Sequence, residues 1–365
     1  MTTSGSPKID DRFRLARLAR GLSQGALADM AGVTRQSISG IESGRWSPSL
    51  EVALALAAAL GTSVEELFGV APELPKLKAR LADAALGSAR LLLSEVDGVQ
   101  VAFPLDGDFG FAPGFRPALA HATAKKTAPA GSIIDIQPIA APGPTLAVAG
   151  CDPALALLAG PLERHRPPTS LVWWSCNNMA SRRLLEAGTV HAAAVHRRAD
   201  EQPSRPSGHE VVGFAAWREG LVVAERYADA VHSLADALEL GLVLVNREPG
   251  SEARRLLDVA LHELGVDPAG LTGYDSACSA HLLVASSIAA GLADIGVTSE
   301  PAALAYGLGF VPWQEEICEL HVPRSLLGTP EVRALLDVLA GRELTAQLSA
   351  IAGYDAEPCG RVLEA

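Results

Sequence analysis

Two groups of residues in this chain have the types and spacing to do chemistry, and neither is a catalytic set. The first is Arg35 and Gln36, opening the amphipathic segment Arg35-Gln-Ser-Ile-Ser-Gly-Ile-Glu, which Thr34 is placed to cap. Long polar side chains at the start of a helix can reach base edges in the major groove, Arg pairing with guanine and Gln with adenine. The second group lies where apolar runs end: Cys151 and Asp152, then Ser175, Cys176, Asn177 and Asn178, then Gly250, Ser251 and Glu252. Free backbone N–H groups and small polar side chains at strand-to-helix turns can hold an oxyanion without a full counter-charge. Cys151 and Cys176 could also form a thiol or soft-metal sensor. Their spacing matches no CxxC pattern, and buried cysteines usually pack as small hydrophobes. His191 and His196, five apart, suit neither a helical pair nor a zinc motif, so both are expected to be packed or solvated. His281 precedes an apolar helix leading to Ala293-Asp-Ile-Gly, and either lines a cleft or is buried with its polar atoms satisfied. The sequence has no Gly-x-Ser-x-Gly elbow, phosphate-binding P-loop or metal-hydrolase motif. No catalytic residue, metal ligand or cofactor is expected, and the protein is expected not to be an enzyme.

These residues need elements to position them. Residues 10–69 are expected to form five short helices: one over Arg12–Arg20, one after Ser23 closed by Gly32, one after Thr34 ended by Gly44, one over Ser49–Leu60, and a fifth opened by the capping box Ser63 and Glu66. The tight turn between helices two and three is the geometry that lays a recognition helix in the major groove. Ala28, Val33, Ile38, Ile41 and Leu56 fall on the inner face and are expected to be core.

Residues 70–144 carry Pro72, Pro75, Pro104, Pro113, Pro117, Pro129, Pro138, Pro142 and Pro144. Leu74–Leu93 reads as a connecting helix, while Gly98–Phe103 and Ser132–Ile136 read as strands. The middle is therefore either a small β-rich domain or a wrapping linker. From Thr145 to about 322, apolar runs alternate with capped helices. Strands are expected at Thr145–Gly150, Ser170–Trp174, Gly241–Asn246 and Ala293–Val297, with helices capped by Asp152 and Ser251 and another over Ser181–Ala187. Trp173 and Trp174 are expected to be strand core. Residues 323–365 are expected to be helices packing on this domain, with Leu335, Leu336 and Leu339 either covering the lobe or forming a dimer contact, packing being the default.

At 365 residues, 48% hydrophobic and mean hydropathy +0.21, the chain can build more than one cored domain. No apolar run is long enough for a membrane span, and the start lacks a signal peptide's apolar stretch, so a cytoplasmic protein without membrane contact is expected. Five scattered cysteines suggest no disulfide framework. The net charge of −12 lies wholly beyond Gly69, because the first 69 residues hold seven Lys and Arg and seven Asp and Glu. A neutral DNA-binding domain has few phosphate contacts, which predicts a homodimer on operator DNA.

Leu22-Ser-Gln-Gly-Ala-Leu-Ala followed by Val33-Thr-Arg-Gln-Ser-Ile-Ser-Gly-Ile-Glu-Ser-Gly-Arg resembles the phage-repressor (Cro/C1, or XRE) helix-turn-helix family over about residues 10–69. The resemblance implies base contacts from Arg35 and Gln36, and phosphate contacts from Gln24, Ser37 and Arg45, with Thr34 and Ser39 on the same DNA-facing set. Gly40 stands where the family often has a longer base-reading side chain.

Ala149-Gly-Cys-Asp-Pro-Ala-Leu, Gly188-Thr-Val-His-Ala-Ala-Ala-Val-His, Val245-Asn-Arg-Glu-Pro-Gly-Ser, Gly273-Tyr-Asp, His281, Ala290–Val297 and Gly309-Phe-Val-Pro-Trp-Gln-Glu-Glu resemble the periplasmic-binding-protein-like domain of molybdate and tungstate receptors, over about 145–322. This implies two α/β lobes, with crossings near 218–240 and 300–310, and a cleft ligand held by Cys151, Asp152, Ser175, Cys176, Asn177, Asn178, His196, Arg247, Gly250, Ser251, Glu252, Tyr274 and His281. Two departures matter. Relatives read Gly-Ser-Gly-Thr-Arg where this chain has Gly250-Ser-Glu-Ala-Arg, and a small Gly/Ser run where it has Ser175-Cys-Asn-Asn. Either Glu252 points to solvent or pairs with Arg247 or Arg254, or the effector is an organic molecule that carries an amine. The expected protein is a one-component transcription regulator: an all-α helix-turn-helix domain joined to a two-lobed α/β domain. The rival is an enzyme on the two-lobed scaffold, with Cys151, His196 or His281 in its chemistry.

Overall fold

The computed structural model describes residues 9–69, 74–85, 87, 89–107, 111–112, 114–123, 127–141, 143–202 and 206–363. Pro72, Pro113, Pro142 and the junction at 70–73 lie outside them. The chain divides into two compact units, Met1–Glu73 and Leu74–Ala365.

The first unit is five helices: α1 (Ile9–Ala19), α2 (Gln24–Ala31), α3 (Arg35–Glu42), α4 (Leu50–Leu60) and α5 (Val64–Phe68). The hydroxyls of Ser23, Thr34, Ser49 and Ser63 each accept from an N–H in the first turn, so all four caps form where the sequence puts them. Ser63 and Glu66 close a capping box. Phe13, Leu27, Ala28, Ile38, Ile41, Leu56, Leu60 and Leu67 fill the core. Arg17 from α1 is buried in it and meets Glu42 of α3 at 2.6 Å, which Gln24 also reaches at 2.7 Å.

The second unit opens with a closed five-stranded barrel. Its strands are β1 (Leu77–Leu81), β2 (Arg90–Val96), β3 (Val99–Pro104), β6 (Ala120–Ala122) and β7 (Ile133–Pro138), in the order β1-β3-β2-β6-β7, with a small hairpin of β4 (Phe111–Ala112) and β5 (Gly114–Phe115) between. The helix expected at Leu74–Leu93 is not formed, because those residues give β1 and the start of β2. Burial along β1 alternates: Ala79 and Leu81 are buried, Arg80 between them is half-buried, and Lys78 before them is exposed. That is a period of two, which a count of apolar residues over twenty positions conceals. β2 and β3 turn back at Asp97-Gly98, both at positive φ, a turn that matches strand twist and favours Gly at its second position.

The rest of the unit is a nine-stranded sheet with helices on its faces. Its elements are β8 (Thr145–Ala149), α6 (Ala159–Arg164), β9 (Ser170–Trp174), α7 (Asn178–Glu186), β10 (Ala192–Arg198), β11 (His209–Val223), α8 (Leu234–Glu239), β12 (Leu244–Arg247), α9 (Glu252–Glu263), β13 (Ala277–Cys278), α10 (His281–Ala289), β14 (Ile295–Ser299), α11 (Glu300–Ala305), β15 (Gly309–Pro323), α12 (Pro330–Leu339), α13 (Arg342–Ser349) and β16 (Tyr354–Asp355). The strand order is β13-β12-β14-β11-β15-β10-β8-β9, with β16 beside β11. Parallel pairs build each lobe, β9-β8-β10 in lobe one and β13-β12-β14 in lobe two. The antiparallel pair β11 and β15, each 15 residues long, runs through both lobes and joins them. The crossings thus lie in long strands at 209–223 and 309–323, rather than near 218–240 and 300–310.

One core fills lobe one, takes in barrel residues Val101 and Phe103, and is covered by Leu335, Leu339, Leu344 and Leu348 of α12 and α13. Two smaller cores line the faces of lobe two. α7 begins at Asn178 rather than Ser181, because the Asn177 side chain caps it. Trp174 is buried and Trp173 packs beside it.

Candidate functional site

Which residues of α3 are exposed is set by how the helix sits on its own core. Ile38 and Ile41 point inward, so Arg35 and Gln36 at the N-terminal end are exposed, as are Thr34 and Arg45, while Ser37 and Ser39 are half-buried. Thr34 Oγ1 caps the helix and lies 2.8 Å from Ser37 Oγ. The Arg45 guanidinium donates to Ser43. Gln24 lies at the N-terminus of α2, but its amide is engaged by Glu42. Gly40 is buried, and a Cβ there would lie 2.7 Å from Trp46 Cε3. Glycine at this position therefore lets the indole lie on the helix.

In the second unit the lobes meet on a buried cluster of polar side chains, the polar chamber. Lobe one supplies Cys151 and Asp152 after β8, and His196 from β10. Lobe two supplies Arg247 at the end of β12 and His281 at the start of α10. The two crossing strands supply Glu219 and Glu316. All seven are buried. Glu219 sits where the β11–β15 register slips between Glu219 and Gly220. A Cβ on Gly220 would lie 2.2 Å from the Val311 carbonyl oxygen, so glycine is what allows the strands their close approach there. The lobes touch across the chamber mouth, with Asn177 Nδ2 3.5 Å from Glu248 Oε1 and Met179 against Gly250.

The ligand atoms that Cys151, His196 and His281 can offer all lie within 4.8 Å of one another, as do those of His196, Glu219 and Glu316. His196 Nδ1 is 3.0 Å from Glu316 Oε2, and Asn178 holds the His196 backbone through two hydrogen bonds of 2.7 and 3.0 Å. His281 Nδ1 is 3.2 Å from Thr298 Oγ1, whose hydroxyl donates to the His281 carbonyl. Arg247 holds Glu248 through two contacts. Asp152 caps the turn after β8 and receives the Tyr354 hydroxyl.

Several groups here lack hydrogen-bond partners: both oxygens of Glu219, Asp152 Oδ2, Arg247 Nη1, Ser299 Oγ and Trp217 Nε1. Such concentration is unusual, because buried polar atoms are nearly always satisfied. Burial pushes the Glu219 carboxyl up to about 7, against the pull of His196, and lifts Asp152 to about 6. Burial also holds His281 well below the usual histidine range, helped by Arg247 and His196. For His196, burial is outweighed by Cys151 and Glu316, which hold the ring well above it.

Of the residues expected to bind a ligand, Cys151, Asp152, His196, Arg247 and His281 come together in this chamber. Asn178 supports it from behind. Asn177, Gly250 and Ser251 lie at its mouth, where Ser251 is buried and spends its hydroxyl capping α9. Ser175 and Cys176 are half-buried at its edge, and burial with Cys151 nearby raises the Cys176 thiol. Glu252 neither faces solvent alone nor pairs with Arg247 or Arg254: its partner is Arg255, at 2.9 Å. Tyr274 is displaced from the chamber, its hydroxyl donating to Asp258 at 2.6 Å and its ring under Arg254. Sequence reasoning missed Glu219, Glu316 and Thr298. The available signal was a lone Glu inside the apolar run Val211–Val223, and the Gln314-Glu-Glu triplet inside another strand.

Fold and site together define a helix-turn-helix unit joined to a two-lobed α/β unit with a polar chamber between its lobes. Residues 13–67 match the helix-turn-helix family, and residues 159–340 match the PBP superfamily domain. An uncharacterised protein from the 5′ region of a 2Fe-2S ferredoxin gene of Clostridium pasteurianum is 33% identical over 109 residues, 30% of this chain and 96% of that one. The uncharacterised protein YvgK of Bacillus subtilis is 30% identical over 146 residues, 40% of this chain; the match spans 47% of YvgK, about half its length. An uncharacterised HTH-type transcriptional regulator of Methanothermobacter thermautotrophicus is 51% identical over 57 residues, 15% of this chain and 83% of its own. The chain belongs to the helix-turn-helix (XRE) family of transcriptional regulators, with a PBP superfamily domain as its larger part. Among the described residues no helix is long and apolar enough to cross a membrane.

Proposed function

We propose that this protein is a ligand-responsive one-component regulator. It binds operator DNA as a homodimer through the exposed start of α3, and takes its effector into the chamber between the lobes. The observation that carries this reading is the set of buried polar atoms without partners, drawn from both lobes and from the crossing strand β11. A ligand there would satisfy groups on each lobe at once and so favour the closed arrangement, changing what the protein presents to DNA. Exposed Leu50 and Leu54, four residues apart on α4, support self-association of the DNA-binding unit.

Carboxylates outnumber cations around the chamber. A molybdate- or tungstate-type oxyanion is favoured only by the spare Nη1 of Arg247 and by the N-terminus of α9. Against a dianion at ~4 Å, one carboxylate costs ~1 kcal/mol in a water-like dielectric and several times more when buried. An amine-bearing organic effector or a cation fits the charge balance better. The test has two parts. Selection of a DNA site followed by sedimentation should give two protomers on a near-palindromic sequence, and a single protomer tightly bound to an asymmetric site refutes the dimer. Native mass spectrometry with elemental analysis of freshly purified protein should report a bound species. Calorimetry with molybdate, tungstate and sulfate on stripped protein decides the oxyanion version, which fails if none gives heat.

A further inference from the structure

We propose that the effector of this chamber is a divalent transition-metal ion of borderline softness, held by Cys151 Sγ, a ring nitrogen each of His196 and His281, and the Glu219 carboxylate. The proposal rests on the chamber being the effector site, and deepens that reading by naming the ligand class.

Four features carry it. The first is the donor set: one thiol and two imidazoles with mutual separations within 4.8 Å, all buried. Around a tetrahedral zinc ion with Zn–N near 2.0–2.1 Å and Zn–S near 2.3 Å, neighbouring ligand atoms stand about 3.3–3.8 Å apart. Closing these three donors on the ion therefore takes a contraction of up to about 1.5 Å. Sulfur and imidazole also select against calcium and magnesium, which take oxygen ligands.

The second feature is Glu219, fully buried, with neither oxygen hydrogen-bonded and Oε1 3.9 Å from His281 Nδ1. Burying a carboxylate without partners is costly, and a cation between it and the imidazoles removes that cost. Glu219 also shares a second triad with His196 and Glu316, so one displaced ligand can be replaced.

The third feature is the support behind the ligands. Metal-bound histidines typically donate their other ring N–H to a carboxylate or other oxygen, which fixes tautomer and orientation. Glu316 stands in that position for His196, and the Cys151 thiol lies within hydrogen-bond reach of the same ring.

The fourth is provenance. Cys151 and His196 belong to lobe one, His281 to lobe two, and Glu219 to a strand that joins them. An ion bound by all four pins the lobes together, which couples metal occupancy to closure. A structural zinc site would tie down one local loop instead.

The experiment uses the full chain, stripped with chelator under reducing conditions and titrated with Zn(II) or Co(II). One ion per chain is expected. The cobalt form should show thiolate-to-cobalt charge-transfer absorption and the intense visible bands of tetrahedral coordination. Cys151→Ser should abolish the charge-transfer band. His281→Ala and Glu219→Gln should each weaken Zn(II) binding at least tenfold, and Cys359→Ser should leave it unchanged. Circular dichroism checks that each variant folds; should Cys151→Ser not fold, the spectrum of the unmodified chain still reports whether sulfur is a ligand. Zn(II) should also change operator affinity. A folded protein that binds neither ion, or binds cobalt without sulfur, overturns the proposal, as does stoichiometric Zn(II) binding that leaves operator affinity untouched. If Zn(II) has no effect but an oxyanion or organic ligand shifts operator binding, the metal is wrong and the ligand-responsive regulator stands.

Discussion

His191 offers a test of how the barrel is fastened to lobe one. It is 1% exposed, its Nδ1 accepts the Ala147 N–H at 3.0 Å, and its ring also bonds the Glu95 backbone of barrel strand β2. Burial pushes its pKa down from 6.5 to about 4, partly opposed by the Glu95 bond. A base whose folded pKa is depressed contributes stability that is fully present above its unfolded value. That stability is lost as pH falls through the interval from 6.5 towards 4. The displacement corresponds to ~3 kcal/mol in the acid limit, with ~1 kcal/mol already lost at pH 5.5. His191→Gln keeps one donor and one acceptor but removes the proton equilibrium. Urea unfolding followed by tryptophan fluorescence reports mainly this unit, since Trp173, Trp174, Trp217 and Trp313 all lie in it. Asp152 and Glu219 titrate in the same range with the opposite sign, so the informative quantity is the difference between the two proteins. At pH 7.5 the variant should be slightly less stable, and by pH 4.5 more stable than the parent. Parallel pH profiles for the two proteins would refute the claim that His191 is held neutral.

Arg35→Ala and Gln36→Ala should each weaken operator binding by ~1–3 kcal/mol in footprinting with the fold unchanged, because both side chains are exposed and make no core contact. Glu42→Ala should lower the stability of the first unit by ~3 kcal/mol in thermal unfolding, since it strands the buried Arg17 guanidinium and frees the Gln24 amide. Gly40→Gln should cost ~1–3 kcal/mol in the same assay by driving a side chain into Trp46. If Gly40→Gln instead tightened operator binding at unchanged stability, Gly40 would be a base-reading position after all.

The helical unit was legible because its signals are local. A hydroxyl cap, an apolar stripe and a closing glycine each act within one turn, so Ser23, Thr34, Ser49 and Ser63 announce their helices without reference to the rest of the fold. The buried strands β8, β9, β12 and β14 were legible for a similar reason, each being a short apolar run flanked by turn residues. The barrel was not. Its strands are short and paired non-locally, β1 lying between β3 and β7, and its alternation is diluted by prolines and by residues that face lobe one rather than solvent. A small barrel seated on another core buries residues on both sides of a strand, as Leu91, Leu92 and Leu93 show, and this erases the alternation that marks an exposed strand.

The chamber divides along the same line. Cys151, Asp152 and Arg247 lie at strand ends, where the sequence pattern points by itself. Glu219 and Glu316 lie mid-strand in β11 and β15, where a charge among apolar neighbours reads as a solvent-facing interruption. Only the pairing of the two crossing strands turns those carboxylates inward. The slip at Glu219/Gly220, which depends on a glycine tight against Val311, sets the register on the lobe-two side of the crossing. His196 follows the same logic: five residues after His191, it falls on the opposite face of β10, so that one histidine fastens the barrel while the other enters the chamber. An odd spacing that excludes a local metal motif is what a strand requires to serve two sites at once.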